Sequence, residues 1–214
     1  MKRRIAPVLV ILFSISSLCP GSTGQGDDAP QRLTIKTDYG ALFVWNQGGN
    51  NFTLASKGKD VRPNNKTQDV FFKVDEMIIQ IQSPAIAPFV KSTPGARPDD
   101  EVILRAHRDW ESDYAGTLLG KIKIKSEAAE LKNGRMTLYW SYDMPEGSKQ
   151  ETKRQVFLTT VNDGHVIVLN GAVTTKAAED RVRQCLTDML ATVRVSAKPF
   201  DLQELLKTVR GGGP

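Results

Sequence analysis

Apolar positions along the chain follow two rhythms, one of period two and one of three to four, and the places where the rhythm changes mark its elements. Leu33-Thr34-Ile35-Lys36-Thr37 and Ala41-Leu42-Phe43-Val44-Trp45 alternate on either side of Asp38-Tyr39-Gly40, which predicts two short strands and a turn. Phe52 to Ser56 reads as a third strand beyond an Asn/Gly loop at 46–51, and a charged loop runs from Lys57 to Thr67. Val70 to Val74 and Met77 to Ile81 flank Asp75-Glu76 as a hairpin. Pro84, Pro88, Pro94 and Pro98 then exclude a helix from the connection that follows, because proline removes a backbone donor and clashes with the preceding turn.

The period lengthens after Pro98. Asp99-Asp100-Glu101 places acids at a helix start, and Val102, Leu104, Ala106, Trp110 and Tyr114 supply an apolar face up to Gly116. Lys121-Ile122-Lys123-Ile124-Lys125 returns to strict alternation, and Asn133-Gly134 joins that strand to Met136–Tyr142. Val156–Val161 and His165–Leu169 form a further hairpin about Asn162-Asp163-Gly164. Thr174 to Val193 carries the longest helical pattern, with Thr175 as N-cap and Ala178, Val182, Cys185, Leu186, Met189, Leu190 and Val193 on one face. Asp201 with Glu204 three residues on has the form of a capping box, opening a short helix with Leu202, Leu205, Leu206 and Val209 as its stripe. Successive hairpins predict an α+β fold, a mainly antiparallel sheet covered by helices, from 32 to 198, with a short helix and tail at 199–214.

The N-terminus belongs to a different class of pattern. Lys2, Arg3 and Arg4 precede an apolar stretch from Ile5 to Leu18, and Cys19 to Gly24 supplies small residues. That order is a secretory signal, 1–24, with cleavage after Gly21 or Gly24 and a flexible lead-in at 25–31. The apolar stretch is shorter than the ~20 residues of a spanning helix, so no membrane span is expected after cleavage. Leu18 before Cys19, and Pro20 after it, argue against lipid attachment. The destination is periplasmic or extracellular.

Removing the signal changes the charge and cysteine arithmetic. The chain has 29 basic and 24 acidic residues, and the mature part keeps 26 and 24, a net charge of +2. A near-neutral body of mixed sign lacks the electrostatic footprint of a nucleic-acid binder. Cys185 is left without a partner cysteine, which excludes a disulfide framework, and its place on the apolar face makes it a small core hydrophobe.

The strand pair 156–169, leading through Asn170-Gly171-Ala172-Val173-Thr174 into a long amphipathic helix, resembles the C-terminal strand–strand–helix of PsbP-like domains and their DcrB-like bacterial relatives, over residues 121–196. The resemblance implies an antiparallel sheet sandwiched between helices, an α/β/α arrangement. It also implies an exported assembly or accessory role without known catalysis, and it brings no catalytic motif to carry over. Region 32–83 is richer in strands than that pattern expects.

Candidate chemistry is sparse. His107 and Glu111 sit four apart on a predicted helix, so both project from one side, but two ligands do not make a zinc site and the remaining histidine, His165, lies at a hairpin edge. The competing reading for these two is a solvated charged helix face. No Gly-x-Ser-x-Gly elbow is present, and Gly48-Gly49 lacks the lysine and spacing of a phosphate loop. Alternation sends Trp140 and Tyr142 to one face of their strand and Tyr139 to the other, so aromatics left outside the core would line a ligand or partner surface. Asn51 and Asn65 begin glycosylation sequons. The expected function is an exported, non-catalytic binding or assembly module with an unassigned protein or small-molecule partner and no cofactor. The alternative is an exported hydrolase, metal-assisted through His107, Glu111 and His165. A third reading has the Leu202–Val209 stripe docking on a partner or membrane.

Overall fold

The computed structural model describes residues 31–63, 70–90, 97–130, 134–146 and 151–210. The signal segment, residues 25–30 of the lead-in, Asn65 and Asn133 lie outside them, and Gln31, expected in the lead-in, opens the first strand. The described residues form an α+β fold with two antiparallel sheets and three helices. The first sheet has β1 (Gln31–Thr37), β2 (Gly40–Gln47), β3 (Asn50–Lys57) and β11 (Arg194–Ser196), in that spatial order. The second has seven strands: β4 (Val61–Pro63), β5 (Val70–Val74), β6 (Met77–Gln82), β10 (His165–Val173), β9 (Arg154–Asn162), β8 (Met136–Asp143) and β7 (Ile124–Glu130). The strands at 31–57 therefore build a sheet of their own.

Alternation gives the seven-stranded sheet two buried faces. On one, Ile79, Ile81, Val156, Leu158, Ile167 and Leu169 meet Phe43, Trp45, Phe52 and Leu54 of the smaller sheet, and helix α2 (Glu179–Ala191) adds Val182, Leu186, Met189 and Leu190. On the other, Leu138, Trp140, Tyr142, Phe157 and Val168 lie under helix α1 (Asp100–Leu119) and the segment containing Ile86, Phe89 and Val90. Helix α3 (Leu202–Arg210) packs on β1, and Asn46 locks the preceding turn by donating from Nδ2 to the Phe200 carbonyl (3.0 Å) and accepting from the Phe200 amide (2.9 Å).

Several boundaries differ from the pattern reading. α1 runs to Leu119 before Gly120 stops it, and its inner face is Ile103, Leu104, His107, Glu111 and Ala115, while Val102 and Tyr114 are exposed. Helix α2 begins after Ala178, not near Thr174, because the Thr174 hydroxyl accepts from the amides of Lys176 and Ala177 and holds a turn ahead of the helix. β7 starts at Ile124, although Lys121, Lys123 and Lys125 do face water as the alternation requires. At α3 the Asp201 carboxylate accepts from the Gln203 and Glu204 amides (2.8 and 3.1 Å), the cap expected of it. Leu202, Leu205, Leu206 and Val209 are half-buried beside β1, so the stripe expected to dock elsewhere serves its own fold. Among the described residues no helix is long and apolar enough to cross a membrane.

Candidate functional site

Four-residue spacing along α1 carries Ile103, His107, Glu111 and Ala115 down one stripe, and that stripe is pressed against β8 and β9. His107 is fully buried and Glu111 nearly so. The solvated helix face is thus corrected: these two groups lie in the core. Nε2 of His107 stands 3.7 Å from Oε1 of Glu111, and Phe89 meets the imidazole edge-on at 5.2 Å. Neither ring nitrogen has a hydrogen-bond partner among the described residues, nor do Trp140 Nε1 and Tyr142 Oη on the sheet below. Burial disfavours every charged form here. It pulls His107 down to about 3 and pushes Glu111 up to about 7, and it raises Tyr142 together with the neighbouring Glu111 charge.

This arrangement is chemically closed. A general base must reach a substrate proton, and a metal needs three or four converging ligands. His165 sits half-buried at the β9–β10 turn, its Nδ1 3.2 Å from the Asp163 carbonyl oxygen, and among the described residues no three His, Cys, Asp or Glu side chains are grouped to hold a metal. The structure does not assemble His107, Glu111 and His165 into one centre. Cys185 is half-buried on α2, and burial with the nearby Asp188 charge pushes its thiol up to about 11, so it remains un-ionised and a poor nucleophile.

The aromatic trio divides between faces as alternation requires, but both faces are core. Trp140 stacks on Phe157 with ring centres 3.7 Å apart, beside Tyr142. Tyr139, on the α2 side, donates its hydroxyl to Glu179 (3.0 Å) under the Arg183 guanidinium, which lies 4.4 Å from its ring centre. Burial, then the bond to Glu179, raises its ionisation above the usual phenol range. None of Tyr139, Trp140 and Tyr142 reaches a surface, which corrects the expected aromatic contact patch. Asn51 is likewise buried, its Nδ2 donating to the Ser196 carbonyl (3.3 Å), so a glycan there is excluded by the fold.

Accessible polar groups gather instead where three turns meet. The β1–β2 turn at Asp38-Tyr39, the loop after β3 at Gly58-Lys59-Asp60 and the β5–β6 turn at Asp75-Glu76 surround a cleft of about 620 Å³. The Gly58 amide donates to the Tyr39 carbonyl (3.1 Å), and the Asp75 amide to that of Asp60 (2.8 Å). Asp75, held at φ 51°, accepts from the Lys59 and Asp60 amides on one carboxylate oxygen, both at 3.0 Å. Gly40 closes the corner: at φ +152° a Cβ there would come within 2.0 Å of the Ser56 carbonyl oxygen. Lys36, Lys57, Lys59 and a half-exposed Tyr39 line the opening. In sequence these segments are two turns and a charged loop, and nothing local marks their meeting.

No family model matches the chain, and no curated protein matches it. Among solved structures, cyanobacterial PsbP (CyanoP) from Synechocystis sp. PCC 6803 is similar at 17% identity and a TM-score of 0.37, covering 83% of this chain and 99% of that one. It carries the family name suggested by the strand–strand–helix resemblance.

Proposed function

We propose that the chain is an exported, non-catalytic binding or assembly module that engages its partner at the three-turn cleft. Export rests on the Lys2–Gly24 signal pattern. The observation that carries the binding reading is a separation of groups: His107 and Glu111 are sealed beneath α1, whereas the accessible lysines and Tyr39 surround a concave, hydrogen-bonded rim. A cleft of about 620 Å³ falls within the size range of small-molecule sites.

The test uses mature protein recovered from the exported fraction, its N-terminus sequenced, and an amide NMR titration with neutral sugars, amino acids, carboxylates and phosphates. A new N-terminus after Gly21 or Gly24 is expected. Amide shifts are expected to concentrate on Thr37–Gly40, Lys57–Asp60 and Asp75. Binding confined to another face, or ester hydrolysis lost in His107→Ala, would overturn the reading.

A further inference from the structure

Resting on that reading of the cleft, we infer that its ligand is a small multivalent oxyanion, bearing two or more phosphoryl or carboxylate groups. Three ammonium groups, Lys36, Lys57 and Lys59, line the opening, and none of them is ion-paired among the described residues. The neighbouring cations are already engaged: Arg62 is bound to Asp60 at 2.7 Å and Lys73 to Glu76 at 3.5 Å. Of the two acids in the lining, Asp75 is committed to the Lys59 and Asp60 amides, so its charge holds the rim together. Asp38 is the other, so the lining sets three lysines against two carboxylates, a net charge of +1.

One further group completes the match. Tyr39, 53% exposed at the opening, presents a rigid ring for the carbon skeleton of an organic anion. Concavity favours a small molecule over a flat protein contact, and lysine binds phosphate or carboxylate as a point charge.

The experiment is isothermal titration of the mature chain with pyrophosphate, citrate and an uncharged polyol of citrate's size, repeated at rising salt. A polyglutamate peptide serves as the protein-like anion. Expected are one-to-one binding of pyrophosphate, citrate or both, weakening with salt, and a loss of about tenfold or more in the K36Q/K57Q/K59Q variant at unchanged Tm. Pyrophosphate alone would mark a phosphoryl ligand, citrate alone a polycarboxylate. Three results would overturn the inference. Preference for the polyol at the cleft would sink the anion and keep the site. Far tighter binding of polyglutamate would replace the small molecule with an acidic protein segment. A cleft unperturbed by any probe in the NMR titration would remove the binding reading as well.

Discussion

A histidine and a glutamate that share a helix stripe usually face water, and here they share one proton inside the core. With His107 at about 3 and Glu111 at about 7, the folded pair between pH 4.5 and 6.5 holds a single proton on the carboxyl. The unfolded pair, at its ordinary values of 6.5 and 4.5, also holds one, on the imidazole, so stability is flat across that window. Below pH 4.5 the unfolded chain takes up a second proton that the folded chain refuses until about pH 3, and stability falls by on the order of 2 kcal/mol. Above pH 6.5 the unfolded and folded pairs give up that proton at nearly the same pH, so the main pH dependence is the acid limb. Urea unfolding from pH 3 to 8 should show this plateau. His107→Leu/Glu111→Leu should flatten its acid limb and raise stability at pH 8 by about 1–4 kcal/mol, as for other buried polar pairs replaced by apolar groups. An unchanged acid limb in the double variant would refute the assignment. Neither residue's placement is legible from its type: apolar residues alone mark a face through Val102 and Tyr114, both exposed, whereas the buried four-residue stripe runs through two polar positions.

Elements whose ends are marked by turns were read well. The hairpins about Asp75-Glu76 and Asn162-Asp163-Gly164 pair as their alternation requires, with Val74 opposite Met77 and Asn162 opposite His165. Three-residue strands such as β4 and β11 carry too few positions to show a period, and β11 exists only because β3 offers it a ladder through Phe52 and Val195. The cleft was illegible for a related reason: its turns lie on different sheets, and no local pattern encodes how two sheets stand against each other. Where α2 crosses β10 the limit is space. A Cβ on Gly171 would meet Val182 Cγ1 at 2.3 Å, so Gly171→Ala must lift the helix or turn the valine. The cost should be about 1–3 kcal/mol in denaturant unfolding. Adding Val182→Ala should recover part of it, because the second change removes the clashing methyl. A double variant no better than the sum of its singles would refute a direct clash between these two positions.

At the scale of the whole molecule, the small sheet depends on what lies C-terminal to it. Phe43 and Trp45 point into the core shared with the larger sheet, so Val44 between them points the other way, yet it is fully buried, and Ile35 on β1 is nearly so. α3 packs on β1, and its turn is pinned to Asn46 by two hydrogen bonds. A chain ending at Ser196 would keep β11 in its ladder but lose that helix. It would then present apolar positions beside the free edge of β1, an arrangement that invites pairing with another chain. The truncated protein should bind a hydrophobic dye and elute as a dimer or larger by light scattering. Asn46→Ala in the full chain should give a milder version, about 1 kcal/mol less stable. It should also show faster amide exchange confined to α3 and β1. If the truncated chain stays monomeric with an unchanged Tm, the third helix is dispensable to the sheet and the burial of Val44 must come from elsewhere. Because β1 and β3 also end at the three-turn cleft, the same truncation tests coupling along the sheet: pyrophosphate binding should survive Asn46→Ala and weaken only when the sheet itself is disturbed.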